Sequence, residues 1–338
     1  MGVTSRDVAR LAGVSQPTVS RALRGDPRVA AATRQRVEDA VAALGYVPSE
    51  AGRALVTRTT RRVGIVVTDL TNPFYPQLIG PLHDELEKHG YRIMVFAERS
   101  DSLTAVEHLV DGSVDGVVLL TTTVGSRLPV ELARRGMPFV CLNRETDSGL
   151  GDAAVVDNTT GGRMVADYLV DLGHRRLAGV FGPENTSTGR DRELGFRLAL
   201  ADAGIGIAPE CSMHGPFEFD MGYEGMLRLL ELPERPSAVF CGNDVVAIGA
   251  LNAAMSAGVN VPADISVVGF DDIPMAGWEA FRLTTVGNDL TEMSVKAAQL
   301  LVRRLADRRG GHDDGGQRRV VLEPVLVERT TASAPPAH

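Results

Sequence analysis

Apolar residues recur along the chain with two different periods, and the change falls near residue 62. Before it the spacing is helical. Val8, Leu11 and Ala12 form one stripe, Val19 and Leu23 a second, and Val37, Val41 and Leu44 a third. Thr4, with Asp7 three residues on, caps the first helix, and Gly13 stops it. Ser15 caps the next, and Pro17 sits in its first turn, where a missing N–H costs nothing. Two short helices joined by a turn through a glycine, with small Ala9 where they approach, followed by a third helix over 32–44, make a helix-turn-helix pattern.

From residue 62 onward, short apolar runs alternate with amphipathic stretches: RRVGIVV, a helix over 75–89, YRIMVFA, a helix over 103–111, DGVVLL and MPFVCL. The alternation repeats with AAVVD, a helix over 160–172, RRLAGVF, a helix over 189–203, SAVFC, a helix over 244–257 and ISVVGF. Such alternation predicts parallel strands with helices on both faces. The expected architecture is an N-terminal all-α headpiece (1–47), a hinge helix and linker (48–61), and an α/β body of two doubly wound lobes (62–330). The chain should cross between lobes near 158, 288 and 322. The Gly-rich stretch 308–319 reads as a loop, and 331–338 as a disordered tail.

Ligands of open α/β sheets bind beyond the carboxyl ends of the strands. Those ends carry Asp69 and Asn72–Tyr75, then Asn143 and Arg144, Asn243 and Asp244, and Asp271 and Asp272. Carboxylates and amides exchange hydrogen bonds with hydroxyls in pairs, while Phe74, Tyr75 and Phe217 offer apolar faces to a ring. The chemistry suits a neutral polyhydroxylated ligand. Singly, each residue also has a local role open to it: Asn72 and Asn243 as helix caps, Asp271–Asp272 as a turn.

The net charge of −8 conceals an asymmetry: residues 1–62 hold eleven arginines and five acids, a net +6, so the remainder carries −14. A basic module on an acidic body suggests a polyanion partner for the first part. On the second helix, Arg21 suits guanine, Gln16 suits adenine and Pro17 a thymine methyl, while Thr18 and Ser20 suit bases or phosphates. No apolar run approaches the roughly 18 residues of a membrane span, and the first ten residues lack a secretory apolar core, so a cytoplasmic location is expected. Cys141, Cys211 and Cys241 lie far apart and the histidines form no ligand pair, so neither metal nor cofactor is expected. No G-x-G-x-x-G follows the first strand, and Walker and G-x-S-x-G motifs are missing, which argues against an enzyme.

The words VTSRDVARLAGVSQPTVSRALRGDPRV and TRQRVEDAVAALGYVPSEAGRAL closely resemble the headpiece of the lactose-repressor (LacI/GalR) family. The resemblance implies that Gln16 and Pro17 choose operator bases and that Arg21 reads guanine. It also implies that residues 49–56 form a hinge helix driving Leu55, with Arg53 beside it, into the minor groove. Ser49 and Gly52 depart from the Asn and Ala usual there, and Gly costs about 0.8–1.0 kcal/mol against Ala in a helix.

The body resembles the family's effector domain, itself similar to periplasmic sugar-binding proteins. By that match NPFY supplies Asn72, Phe74 and Tyr75, LNR supplies Asn143 and Arg144, and GRDRELGF supplies Arg192. Phe217, Asn243, Asp271 and Asn288 occupy further effector positions, whereas His174 reads as structural and Asp157–Asn158 as a hinge or cap. The resemblance implies a homodimeric repressor on a near-palindromic double-stranded operator, controlled by a small effector, with a sugar favoured over a purine or other metabolite. The body alone would fit a periplasmic-type sugar-binding protein, which the headpiece and the missing secretory core argue against; a cytoplasmic sugar-binding protein is the alternative.

Overall fold

The computed structural model describes residues 3–47, 59–97, 103–310 and 316–336, apart from the side chains of 103–106 and 309. Arg53 and Leu55, with the rest of the expected hinge helix, lie outside the described residues. The chain divides into two compact units, Met1–Thr60 and Arg61–His338.

The first unit contains α1 (Ser5–Ala12), α2 (Gln16–Leu23) and α3 (Ala31–Leu44). The Thr4 backbone N–H and hydroxyl both donate to the Asp7 carboxylate, at 3.0 and 2.6 Å, which holds that carboxyl below its usual range. Gly13 takes φ 64° to end α1, a left-handed conformation that costs glycine least. Val8, Ala9, Ala12, Val19, Ala22, Val37 and Ala40 form the core. Leu11 and Leu23, expected inside, are 56% and 37% exposed. Leu11 stands about 100° around the helix from the centre of the buried stripe, and Leu23 is the last residue of its helix.

The second unit contains two six-stranded sheets among the described residues. In the first, β1 (Arg62–Val67), β2 (Arg92–Ala97), β3 (Gly116–Leu119), β4 (Phe139–Leu142), β5 (Asp152–Val156) and β11 (Arg319–Leu322) run in the order β11-β5-β4-β3-β1-β2, all parallel. In the second, β6 (Leu177–Phe181), β7 (Ser212–His214), β8 (Ala238–Cys241), β9 (Ser266–Asp271), β10 (Thr284–Gly287) and β12 (Val325–Val327) run β12-β10-β9-β8-β6-β7. Only the β10–β12 pair is antiparallel. The central strands are buried throughout because helices cover both faces.

Helices α4 (Phe74–Lys88), α5 (Leu103–Val110), α6 (Leu128–Arg134) and α11 (Leu290–Gly310) belong with the first sheet. With the second go α7 (Asn158–Asp171), α8 (Ser187–Asp202), α9 (Phe219–Glu231) and α10 (Asp244–Ser256).

The chain passes between lobes after β5, after β10 and between β11 and β12. The run AAVVD, grouped by the sequence with the second repeat, instead pairs with β4 in the first sheet. Hydrophobic periodicity gives a strand's existence but not its partner. The short strands β7, β10, β11 and β12 carry too little apolar pattern to have been read. The expected loop at 308–319 begins later, since α11 continues to Gly310. The tail is also corrected: Thr331 is buried, its hydroxyl donates to the Val267 carbonyl at 2.7 Å, and Ser333 accepts from the His174 ring at 2.9 Å. A disorder-prone composition is overridden here by hydrogen bonds to β9 and its flanks. No helix among the described residues is long and apolar enough to cross a membrane.

Candidate functional site

The first unit presents one polar face on α2. Val19 and Ala22 turn inward, so helical geometry sends Gln16, Pro17, Ser20 and Arg21 outward, and all four are exposed. Ser15 caps the helix through Thr18 N at 3.4 Å, and its hydroxyl meets the Thr18 hydroxyl at 2.8 Å. Thr18 is therefore half-buried and locally engaged, a helix-shaping residue as much as a surface donor. Gln16 donates to the Ser5 hydroxyl at 2.8 Å, which ties the start of α2 to α1.

In the second unit, the carboxyl ends of the two sheets face each other across a small pocket. It is lined by Asn72, Phe74, Tyr75, Asn143, Arg144, Thr188, Arg192, Phe217, Asn243 and Asp271. The polar backbone geometry is unusual there: Asn143, Asp271 and Asp272 hold φ 74°, 111° and 50°. Such non-glycine residues persist only where surrounding contacts fix them. Here the buried Asp244 accepts from Ile273 N at 2.8 Å and from the Thr285 hydroxyl at 2.5 Å, while Arg329 holds Asp272 at 2.6 Å. Gly269 is required beneath, since a Cβ there would stand 2.3 Å from the Asp244 carboxylate. A Cβ on Gly182 would likewise strike the Phe217 ring at 2.1 Å, so that glycine makes room for the aromatic wall.

Arg192 is the hub of the pocket floor. Its guanidinium donates to Asn158 at 2.9 Å, to the Gly242 carbonyl at 2.8 Å and to Asp271 at 2.7 Å, and lies 3.8 Å from the Phe270 ring centroid. Burial pushes the Asp271 carboxyl up, against the opposing pull of Arg192. Asp244 is pushed well above the ordinary range, first by burial and then by the nearby Asp271 charge. Arg144 is buried over the Phe217 ring at 5.5 Å, and its Nε has no hydrogen-bond partner among the described residues. Burial raises the Tyr75 phenol.

The lobes are clasped around this pocket. Asn72 donates to the Phe217 carbonyl at 3.1 Å, Val124 N to the Asn185 carbonyl at 2.7 Å, and Glu145 N to the Ser187 hydroxyl at 3.1 Å. Arg190 pairs with Asp147 at 2.9 Å. The enclosed space is about 10 Å³, room for roughly one water molecule, so a larger ligand requires the clasp to open.

Nine of the eleven effector candidates from the sequence thus line one pocket. Asp69 instead faces an adjoining recess of about 290 Å³ and accepts from Thr71 at 2.8 Å. Asn288 lies at a lobe crossover with its amide 3.8 Å from the Met293 sulfur, and is not among the lining residues. Asn243 lines the pocket and also caps α10 through Val246 N at 2.9 Å, so the cap and site roles coexist. Thr188 was missed; it lies in the first turn of α8, seven residues past the end of β6, beyond the strand-end residues that the rule picks out. Asn158 touches Arg192 rather than the cavity, and Asp157 caps α7.

A helix-turn-helix unit joined to a two-lobed α/β unit with a pocket between its lobes defines a ligand-responsive, DNA-binding regulator of transcription. Residues 4–49 match the lacI family of bacterial regulatory proteins, and 166–332 match the periplasmic binding protein-like domain. The chain is 35% identical to the ribose operon repressor of Escherichia coli (strain K12) over 97% of its own length and 99% of the relative's. It is 33% identical to the repressor CytR of the same strain, covering 97% and 96%. The structure of the lac repressor dimer bound to operator and the anti-inducer ONPF is 27% identical, with TM-score 0.86 over 99% and 100% of the two chains. A CelR–cellobiose complex is 32% identical, with TM-score 0.73 over 97% and 99%.

The chain belongs to the lacI family of bacterial regulatory proteins. It is a sequence-specific DNA-binding transcription regulator of the repressor class, with operator affinity governed by a small-molecule effector.

Proposed function

We propose that the effector is a sugar or sugar derivative bound among Asn72, Asn143, Arg144, Arg192, Asn243 and Asp271, with Phe217 against its ring. The observation that carries this reading is the convergence of amides, guanidinium groups and one carboxylate on a single pocket walled by aromatic rings. Two of the similar proteins fit this reading by name: one is a ribose operon repressor and another is held in complex with cellobiose. The pocket binds without turnover, since its carboxylate is tied to Arg192 rather than poised beside a nucleophile. Gln16, Pro17, Ser20 and Arg21 read operator bases, Thr4, Ser15 and Thr18 position the unit on phosphates, and Arg53 and Leu55 enter the minor groove.

A thermal-shift screen against sugars, sugar derivatives and purines tests the effector class, because a ligand at 100 times its Kd stabilises by about 2.7 kcal/mol. The expected result is a sugar-class hit that changes operator affinity and that Asp271→Ala abolishes. A response confined to purines overturns the reading.

A further inference from the structure

The pocket holds more positive charge than its walls neutralise. Of the lining residues, Arg144 and Arg192 are cationic and Asp271 alone is anionic, a surplus of one positive charge. That carboxylate is already taken by Arg192 at 2.7 Å. Arg144 is left with the face of Phe217 and a buried Nε that has no hydrogen-bond partner among the described residues; burial disfavours its charge most, Arg192 adds to that, and Tyr75 and Asp271 oppose it without pairing with it. None of the neutral lining groups brings a compensating negative charge. The amide oxygens of Asn72 and Asn243 are each engaged by a backbone N–H, of Phe74 at 3.0 Å and Val246 at 2.9 Å. A neutral polyol would close the cleft over an uncompensated cation, which is costly in a dry site.

We infer that the effector is an acidic sugar, a polyol bearing an oxyanion, and that Arg144 receives that oxyanion. The inference rests on the sugar reading above and replaces the neutral ligand expected from the sequence with a charged one. A guanidinium meets a carboxylate or a phosphate through two parallel N–H bonds, so either group satisfies Arg144. A carboxylate brings the charge of the pocket to zero, whereas a phosphate monoester at roughly −1.5 to −2 overshoots. A sugar carboxylate is therefore the better match. The hydroxyls fall to Asp271, Asn143 and Asn243.

The test is isothermal titration of the full chain with matched sets: glucose, gluconate and glucose 6-phosphate; ribose, ribonate and ribose 5-phosphate; galactose and galacturonate. In the set that binds, the acid is expected to bind roughly tenfold or more tighter than its neutral parent, the range of a charge-assisted hydrogen bond. Arg144→Gln weakens the acid by a larger factor than its neutral parent, so the preference is lost, and Arg144→Lys retains part of it. Ligand-free operator binding, unchanged in both variants, shows that they are folded. If the neutral sugar binds as tightly as its acid, and Arg144→Gln weakens both alike, the inference fails and the sugar reading stands. If no sugar, acid or phosphate binds to a chain that still binds operator, the sugar reading fails as well. A phosphate tighter than the carboxylate keeps the oxyanion on Arg144 and corrects only the charge count.

Discussion

Replacing Arg192 by Gln isolates the hub of the pocket. The Arg192 and Asp271 side chains are 3% and 7% exposed and 2.7 Å apart, so the variant strands a buried carboxylate. Removing one partner of such a pair costs about 3–5 kcal/mol, which for a domain of this size lowers the melting temperature by about 6–20 °C. The loss should depend on pH, with a definite sign. Burial already raises the Asp271 carboxyl, and Arg192 is the first force opposing that rise, so its removal raises the carboxyl further. A carboxyl raised in the folded state contributes stability below its unfolded value, and that contribution is lost as pH climbs through the folded value.

The gap between parent and variant should therefore widen from pH 5 to pH 8. Asp271→Asn added to Arg192→Gln should flatten that widening and recover part of the stability, giving a coupling from the four-protein cycle. Asp244 has its own pH dependence and feels the Asp271 charge, so the cycle is run with Asp244→Asn in all four proteins, where only the Asp271 contribution remains. The single tryptophan, Trp278, lies in the second unit, so its fluorescence during thermal melts from pH 5 to 8 follows that unit alone. A variant within about 1 kcal/mol of the parent at every pH, or a slope surviving in the double variant, would refute the buried-pair reasoning.

Three further outcomes are expected. Asp147→Ala removes a clasp pair whose side chains are largely exposed, worth below about 1 kcal/mol, so stopped-flow should find effector dissociation faster by less than about fivefold and ligand-free operator affinity unchanged. Asp244 is held well above the ordinary carboxyl range by burial, so its contribution is lost as pH rises, and Asp244→Asn should flatten the stability profile of the second unit between pH 5 and 8; an unaltered slope would exclude Asp244 as its source. Arg21→Ala should cost about 1–3 kcal/mol at one operator base pair in a binding assay across single-base variants; equal loss on random DNA would mean that Arg21 meets only phosphate.

The sequence by itself determined the elements and most of the chemistry. Capping at Thr4 and Ser15, the stop at Gly13 and the alternation of apolar runs are local signals, written within a few residues of where they act. The rule that ligands gather at strand ends is nearly local too, and it found Asn72, Asn143, Arg144, Asn243 and Asp271 without any partner being known. What only the tertiary structure decided were pairings between residues far apart in the chain. It assigned the 152–156 strand to the first sheet, brought residues 331–333 against β9, and turned Leu11 outward from its core. It separated Asp69 and Asn288 from the pocket and added Thr188 to it. Above all, it showed that Asp271 is taken by Arg192, 79 residues away, while Arg144 keeps a buried nitrogen unpartnered among the described residues. Charge balance in a buried site depends on which groups the fold brings within a few ångströms, and no period or motif along the chain records that distance.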